Sequence, residues 1–388
     1  MTEVFLFCYS ACVTNPFLYG QEVSGDDFCN RQKELAQFVD YVSSSNKVLL
    51  YSPRRWGKTS LIKEGIKRLP KNKFVVIYAD LYPAIKEEDF NQIVASALAK
   101  SFRSPAQKAL KLLTTLLRSF VPKLTLDPLG NAGFEFGFDS SRKPGELADE
   151  LIDGISRYVL SSGKKGLVVF DEFQQIGEFP DDRLEKILRS KIQSQKNISY
   201  VFAGSKRHLL MEMFSDPSRP FYKSVIHFPV PPMPQDEIVE FIGKKMEKTG
   251  IKASGDVLSE IVAFTHTHPY YTQQLCFHLW DAAKEGKTAV TSSVVKTVID
   301  RIVTIEGSSF QNVMSLLSRN QKIALKAIAD LRFDEAPFSN LFMKRVGITT
   351  ADSFRKSLES LVLKGLIEKE EGVYVIYDVF FKEWLRRN

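Results

Sequence analysis

Residues 47–69 contain three local patterns in an order that strongly limits the folds available to the chain. "KVLLYS" is a short apolar run of strand-forming residues, "PRRWGKT" follows it directly, and the next residues place apolar side chains at helical spacing. A loop that ends in Gly-Lys-Thr and connects a strand to a helix is typical of a phosphate-binding loop. In such a loop, backbone N–H groups and the positive end of the helix face an anion. The segment therefore predicts an α/β fold with an anion site where the strand ends.

The loop departs from the usual pattern G-x-x-x-x-G-K-[ST] at one position, where Ser52 replaces the first glycine. That glycine serves the turn that leaves the strand, and serine keeps the backbone N–H, so we predict a working site. Gly57 allows the backbone to approach phosphate oxygens, Lys58 reaches the outer phosphates, and the Thr59 hydroxyl is a ligand for Mg²⁺. The residues predicted to surround the phosphates are Ser52, Pro53, Arg54, Arg55, Trp56, Gly57, Lys58, Thr59 and Ser60.

A Gly-Lys-Thr sequence after a strand can arise by chance, so a second motif matters. "GLVVFDEF" (166–173) places two acids at the carboxyl end of a buried strand, where open α/β sheets bind their ligands. We predict that Asp171 holds Mg²⁺ through its water shell and that Glu172 polarises the attacking water. The alternative is that the two acids form a solvated turn.

A third polar group follows the strand predicted over 198–205. The Ser205 hydroxyl is placed to contact the outermost phosphate, and Arg207 is the cation predicted to neutralise charge developing on it, with Lys206 and Arg219 as further candidates. Each cation alone is equally typical of a protein surface. His266 and His268 suggest a metal site, but no third ligand lies near them in sequence, so helix-end packing is the better interpretation.

The order of the apolar segments predicts the architecture. Strands alternate with helical segments, which is typical of a mostly parallel sheet between two helical layers. Five core strands are predicted, over 47–52, 73–81, 166–173, 198–205 and 224–230. A glycine- and proline-rich stretch, 121–143, predicts a hairpin-like insertion, and four prolines between 229 and 234 mark a domain boundary.

Two smaller modules follow that boundary. The segments from 235 to about 305 all have helical patterns, and three short helices closed by a hairpin after residue 318 are typical of a winged helix. We therefore predict an N-terminal extension (1–14), a core (15–232), a helical domain (233–310) and a winged-helix domain (311–388).

The composition fits a multidomain globular protein. The 388 residues include 44% hydrophobic and 26% charged residues, and no apolar run approaches the length of a membrane span. Four scattered cysteines, Cys8, Cys12, Cys29 and Cys276, fit free thiols in a reducing compartment, so we expect a cytoplasmic protein that does not bind membranes. The net charge is +7, and residues 47–73 alone contain nine Lys and Arg against one acid, which is the charge expected around a phosphate site.

Together these motifs resemble the P-loop ATPases of the AAA+/STAND superclass. The similarity is to the prokaryotic and archaeal family with a P-loop core, a helical lid and a winged helix, distantly similar to archaeal replication initiators. It covers about residues 15–388 and rests on "SPRRWGKTSL", "VVFDEF" and "AGSKR". It also rests on Phe28, Arg31, Glu34 and Leu35, which match the family's F-x-x-R-x-x-E-L element beside the adenine. "THTHPYYTQQL" looks like the lid motif G-x-P, with Pro269 as the nucleotide contact and Thr267 in place of the glycine.

The resemblance implies an ATP-hydrolysing switch with catalytic residues Lys58, Glu172 and Arg207, ATP and Mg²⁺ as ligands, and ATP bound between core and lid. Hydrolysis would then control how the winged helix is presented to a DNA or protein partner. Residues 311–388 have a net charge of only +3, which is a small positive charge for a DNA-binding domain. The sequence therefore leaves both DNA and protein as alternatives for the partner. The alternative function is a nucleotide-independent winged-helix binding module on a degenerate P-loop scaffold, against which the intact Lys58, Thr59, Asp171 and Glu172 count.

Overall fold

The computed structural model describes residues 14–29, 31–102, 106–126, 132–139, 141–286, 289–331, 336–348, 350–370 and 372–388. The chain divides into two units, one of residues 31–231 and one that joins the residues before 31 to 232–388. Cys8 and Cys12, and all but the last residue of the predicted N-terminal extension, lie outside the described residues.

The unit of residues 31–231 alternates helices and strands, as the sequence predicted. Its elements are α1 (Gln32–Ser43), β1 (Lys47–Tyr51), α2 (Lys58–Arg68), β2 (Phe74–Asp80), α3 (Glu87–Ser101), α4 (Ala106–Leu116), β3 (Phe120–Leu126), β4 (Ala132–Phe138), α5 (Pro144–Ser161), β5 (Lys165–Asp171), α6 (Arg183–Ser194), β6 (Ile198–Gly204), α7 (Arg207–Ser215) and β7 (Ile226–Pro229). A 3₁₀ helix, Phe173–Glu178, follows β5.

Five of these strands form one sheet in the order β2-β5-β6-β1-β7, with every neighbouring pair parallel. All residues of β6 are buried, which explains why its sequence is apolar without alternation. The predicted α/β fold with a five-stranded sheet is confirmed. Because the strands are parallel, the carboxyl ends of β1, β5 and β6 lie at the same edge of the sheet.

Aromatic side chains fix the strand ends at that edge. The rings of Phe173 and Phe202 lie 4.6 Å apart between centroids, and those of Phe214 and Phe221 lie 5.1 Å apart. All four rings are fully buried, and each such side chain contributes about 1.5–3 kcal/mol relative to an exposed one. Their packing holds the segments after β5 and β6 in place.

The stretch 121–143, predicted to be hairpin-like, overlaps β3 and β4. These strands pair antiparallel from Phe120 opposite Phe138 to Leu126 opposite Ala132. They form a separate two-stranded sheet rather than joining the central one.

The second unit is mainly helical. Its elements are α8 (Gln235–Lys248), α9 (Gly255–Thr265), α10 (Pro269–Gly286), α11 (Ser292–Ser315), α12 (Arg319–Asp330), α13 (Asn340–Arg345), α14 (Ala351–Leu363), β8 (Glu368–Glu370), β9 (Val373–Val375) and α15 (Val379–Arg387). The three helices α12 to α14 and the β8–β9 hairpin have the winged-helix arrangement predicted from the sequence. Over the described ranges, no helix has the length and apolar character needed to cross a bilayer.

Residues 15–29 belong with this second unit, whereas the sequence had predicted them to be part of the core. The Asn15 amide donates hydrogen bonds to the Phe277 carbonyl (2.9 Å) and to Asp281 (3.0 Å), and the Phe17 ring is fully buried. The Lys245 ammonium donates to the Pro16 carbonyl at 2.5 Å. These long-range contacts assign residues 15–29 to the second unit.

The predicted boundary between residues 310 and 311 falls inside α11, which runs through it. Phe310 lies on this helix and packs against Phe381 of α15, with ring centroids 5.1 Å apart. The buried side chains on both sides of the predicted boundary form one continuous core. α15 follows the predicted hairpin and was missed by the sequence analysis.

Thr267, the residue that replaces the glycine of the lid motif, has a left-handed backbone with φ 57°. This conformation costs about 1–2 kcal/mol for residues with a Cβ. Glycine removes that cost. Its greater conformational freedom in the unfolded chain cancels about 0.4–1 kcal/mol of the resulting gain in stability. We expect Thr267→Gly to raise the free energy of unfolding by about 0.5–1 kcal/mol in denaturant titrations. Thr267→Ala, which keeps the Cβ, should give no such gain, and equal behaviour of the two variants would contradict this account.

Candidate functional site

The loop between β1 and α2 contains two residues with left-handed backbone conformations. Gly57 has φ 81° and Arg55 has φ 63°, whereas Ser52 has no positive φ. Serine is therefore tolerated at position 52, because the backbone there does not need glycine. A Cβ at Gly57 would meet no protein atom within 4 Å, so within the protein itself the conformation, rather than crowding, explains this glycine.

Lys58 begins α2 and is 6% exposed. Its ammonium group lies inside the curve of the loop and donates hydrogen bonds to the carbonyls of Ser52 and Pro53, both at 2.9 Å. Pro53, Trp56 and Ser60 are also buried, whereas Arg54 and Arg55 are exposed. The loop thus surrounds a buried positive charge at the amino end of a helix, which is a suitable environment for an anion.

Thr59 and Asp171, the two predicted metal ligands, contact each other directly. The Thr59 hydroxyl donates to Asp171 Oδ2 at 2.9 Å, and the Tyr78 hydroxyl donates to the same oxygen at 2.5 Å. Asp171 ends β5 and is 3% exposed, and it lies in register with Asp80 of the neighbouring strand β2. The parallel sheet therefore joins residues that are far apart in sequence into one oxygen-rich cluster.

Glu172 and Ser205, predicted to act near the outermost phosphate, are also in contact. The Ser205 hydroxyl donates to Glu172 Oε2 at 3.0 Å and lies 3.3 Å from Oε1. The side-chain amide of Gln174 donates a further hydrogen bond to Oε2. Glu172 itself has a left-handed backbone, with φ 52°, at the start of the 3₁₀ helix. The chain turns sharply there, so the carboxylates of Asp171 and Glu172 have different partners.

The three candidate cations differ in their surroundings. Arg207 begins α7. Its guanidinium lies over the ring of Tyr51, the last residue of β1, 5.7 Å from the ring centroid. Lys206 pairs with Glu178 at 2.6 Å, and Arg219 pairs with the buried Glu185 at 2.5 Å. Arg207 is therefore the candidate beside the end of β1, whereas the other two form ion pairs with acids outside the predicted site.

Arg31 belongs to the sequence element predicted to lie beside the adenine, and it contacts the backbone of the β1–α2 loop. Its guanidinium is almost fully buried and donates to the carbonyls of Pro231 (2.8 Å) and Trp56 (3.5 Å). It also lies 3.6 Å from the Glu34 carboxylate. The charge of Arg31 thus links α1 to the β1–α2 loop and to the segment after β7.

The remaining predicted residues lie in the other unit. Pro269 begins α10. His266 caps the end of α9 with φ 50° and is exposed, whereas the His268 ring is buried and lies 4.5 Å from the Tyr271 ring, so only His268 packs at this helix end. Among the described residues, no group of three or more His, Cys, Asp or Glu side chains is placed to hold a metal ion.

Two residues of the site were missed by the sequence analysis. Tyr78 is separated from Asp171 by 93 positions, and no local spacing indicates their contact. Gln174 follows the acidic motif directly in "DEFQQ" and could have been considered as a polar neighbour of Glu172. Only the fold decides which of the two glutamines in that sequence is buried.

Tyr78→Phe tests the contact with Asp171. The variant removes one donor from a buried carboxylate, so we expect the free energy of unfolding to fall by about 1–3 kcal/mol. Tyr82 lies just after the same strand and is 61% exposed, which makes Tyr82→Phe a matched control expected to stay within about 0.5 kcal/mol of the parent. Denaturant titration of the three proteins measures the difference, and equal stability of all three would argue against a structural role for the Tyr78 hydroxyl.

Comparison with known families covers the residues of this site. Residues 28–275 match a family described as an ATPase domain predominantly from Archaea. The chain belongs to this archaeal ATPase family. Residues 308–387 match a probable winged helix domain, in agreement with the helices and hairpin described above.

Two relatives of this family member are described as uncharacterized ATP-binding proteins. An uncharacterized ATP-binding protein of Pyrococcus abyssi is 30% identical over 193 residues, which are 48% of this chain and 56% of that protein. One from Methanocaldococcus jannaschii is 29% identical over 173 residues, 40% of this chain and 45% of that protein. The chain thus matches about half the length of these two relatives.

Solved structures share the fold across nearly the whole chain. A Walker-type ATPase of Pyrococcus abyssi superposes with a TM-score of 0.64 at 19% identity, covering 94% of this chain and 98% of that one. The Aeropyrum pernix ORC2 protein, in ADPNP–ADP complexes, gives a TM-score of 0.56 at 12% identity, with 93% and 95% covered. At these identities the similarity concerns the fold alone.

Proposed function

We propose that this archaeal ATPase family member binds and hydrolyses Mg·ATP at the β1–α2 loop. The observation that carries the proposal is the hydrogen bond between Thr59 and Asp171, beside the contact between Glu172 and Ser205. These four side chains come from three segments at one sheet edge, next to the buried Lys58. An assembled set of this kind supports hydrolysis over the alternative of a degenerate scaffold. The nucleotide-bound neighbour and the ATP-binding relatives favour ATP as the nucleotide.

The donor atoms fit Mg²⁺, which prefers oxygen ligands and keeps several waters. The Thr59 hydroxyl and the Asp171 carboxylate would hold it, the latter through water. When bound, Mg²⁺ neutralises charge on the phosphate oxygens.

Four side chains of the protein would bind the phosphates and activate the attacking water. The Lys58 ammonium, with carbonyl partners in the loop, would exchange them for phosphate oxygens. The Glu172 carboxylate would orient the attacking water and accept its proton, and Ser205 would contact the outermost phosphate. Arg207 would neutralise charge that develops on that phosphate.

Mg-dependent release of phosphate from ATP by the purified chain tests the proposal. The assay should be run with and without duplex DNA, because a partner can be needed for turnover. Magnesium-dependent turnover in either condition is the expected result. ATP binding with no hydrolysis would restrict the function to nucleotide binding, and no ATP binding would favour the nucleotide-independent alternative.

We further propose that the nucleotide state controls presentation of the winged helix to a DNA or protein partner. α14 buries Phe354, Leu358 and Leu361 in the core and exposes Arg355 and Lys356. This polar face is the part of the domain that can meet a partner.

Charge neutralisation on α14 distinguishes DNA from protein as the partner. If the helix binds DNA, Arg355→Gln with Lys356→Gln should weaken binding to all duplex sequences and reduce the slope of log affinity against log salt by about 2, because both side chains would meet phosphates. Gel retardation across a salt series with ATP present measures this. No retardation of any duplex by the parent at low salt would favour docking to a protein instead.

A further inference from the structure

The side chain of Gln174 occupies a confined position behind the candidate site. Gln174 is 1% exposed and lies in the 3₁₀ helix Phe173–Glu178, two residues after Glu172. Its amide nitrogen donates a hydrogen bond to Glu172 Oε2. A glutamine in this position therefore bonds directly to the carboxylate that we assign to the attacking water.

Gly204, at the end of β6, provides the space for this side chain. A Cβ built on Gly204 would overlap the Gln174 Oε1 atom and would lie 3.1 Å from its Cδ. The backbone at Gly204 does not require glycine for conformational reasons, since its φ is not positive. The absence of a side chain at position 204 is thus explained by the position of Gln174.

Packing alone does not explain an amide at position 174. The Gln174 Oε1 atom is buried and has no hydrogen-bond partner among the described residues. A buried acceptor without a partner destabilises a fold, and an apolar side chain of the same length would avoid this penalty. What the amide adds is the hydrogen bond that its nitrogen donates to Glu172.

The two carboxylate oxygens of Glu172 are held unequally. Within the described part of the chain, Oε2 accepts hydrogen bonds from both Gln174 and Ser205, whereas Oε1 has only the 3.3 Å contact with Ser205. Two donors on one oxygen restrict rotation of the carboxylate. Oε1 is then the oxygen with capacity left to accept a hydrogen bond from water.

We infer that Gln174 is a positioning residue that orients the Glu172 carboxylate for water activation, and that Gly204 is required because it leaves room for Gln174. The inference rests on the proposed hydrolytic function. Gln174 acts through Glu172 and holds one oxygen so that the other faces the reaction. Its loss should lower turnover without weakening ATP binding, because ATP affinity depends on Lys58 and the loop.

Gln174→Met is the first test, because methionine keeps the length of the side chain and removes both the donor and the unpaired acceptor. We expect kcat to fall on the order of 10- to 100-fold with KM for ATP nearly unchanged. The denaturation midpoint should stay the same or rise. Gln175→Met, at the half-buried neighbouring glutamine whose amide donates to the Tyr82 carbonyl at 3.3 Å, is the matched control and should keep the kcat of the parent. An unchanged kcat for Gln174→Met, or a fall in kcat accompanied by a lower midpoint, would overturn the inference.

The second test is a double-mutant cycle of Gly204→Ala with Gln174→Ala. Gly204→Ala should displace the amide and lower both kcat and the denaturation midpoint. In the Gln174→Ala background the added methyl group meets no amide, and its remaining close neighbour is the flexible end of Leu210, with Cδ1 at 3.1 Å. Both quantities should therefore fall much less than they do when Gly204→Ala is made in the parent. Additive losses would show that the two positions act independently and would overturn the proposed link. Absence of turnover by the parent would remove the proposed function together with this inference, whereas normal turnover by Gln174→Met would remove the inference alone.

Discussion

Replacing Glu172 by glutamine should nearly eliminate ATP turnover while leaving Mg·ATP affinity almost unchanged. The amide preserves the size of the side chain, but it can neither accept a proton nor polarise water as a carboxylate does. The expected loss is about 10²–10⁴-fold in the rate of hydrolysis. Binding should survive because Thr59 and Asp171 contact each other independently of the Glu172 carboxylate. The variant should therefore stay in its ATP-bound state, with the winged helix locked in one presentation.

Asp171→Asn provides the contrast for this experiment. In the parent protein the Asp171 carboxylate accepts hydrogen bonds from Thr59 and Tyr78 and is the proposed partner of Mg²⁺. The Asp171→Asn variant should therefore lose Mg-dependent ATP binding as well as turnover. Calorimetric Mg·ATP affinity and single-turnover hydrolysis, measured for the parent and both variants, separate the two roles. Hydrolysis by Glu172→Gln at the rate of the parent would exclude Glu172 from the mechanism.

Lys58→Ala should weaken ATP binding by tenfold or more. The ammonium group is buried in the loop, where its hydrogen bonds to Ser52 and Pro53 hold it at the amino end of α2. A charge-assisted contact between this group and phosphate oxygens is worth roughly 1.5–3 kcal/mol, and each 1.4 kcal/mol corresponds to about tenfold in affinity. Calorimetry with ATP measures the change directly.

Two further variants make the Lys58 experiment specific. Lys58→Met keeps the aliphatic stem and should lose affinity to a similar extent, which excludes a simple packing effect. Lys67, on the same helix, is exposed and paired with Glu64, so Lys67→Ala removes one positive charge nearby without touching the loop. Lys67→Ala should bind ATP like the parent. Equal affinity of Lys58→Ala and the parent would show that the loop is not the ATP site.

The sequence contained enough local information to predict where the site would form. The strands β1, β5 and β6 are mostly apolar, and the polar residues at and after their carboxyl ends are immediately visible as departures from that pattern. Parallel strands bring these ends to one edge, so a general rule of α/β folds placed Thr59, Asp171, Glu172 and Ser205 at the same edge of the sheet. Their pairing through hydrogen bonds became visible only in the structure. By contrast, the boundary predicted at 310/311 lies inside α11, where no proline or turn signal interrupts the helix.

By itself the sequence determined the strand–loop–helix order of β1 and α2, the five strands and the winged helix, because each depends on residues close together in the chain. Tertiary structure alone decided three other features. Residues 15–29 pack with α8 and α10, more than 200 positions away, because Phe17 is buried in that unit's core. Tyr78 reaches Asp171 because β2 lies beside β5, and Gln174 fits its place because Gly204 has no side chain. Such contacts depend on the order of the strands in the sheet and on the space left by residues distant in sequence. A local sequence pattern contains no information about either.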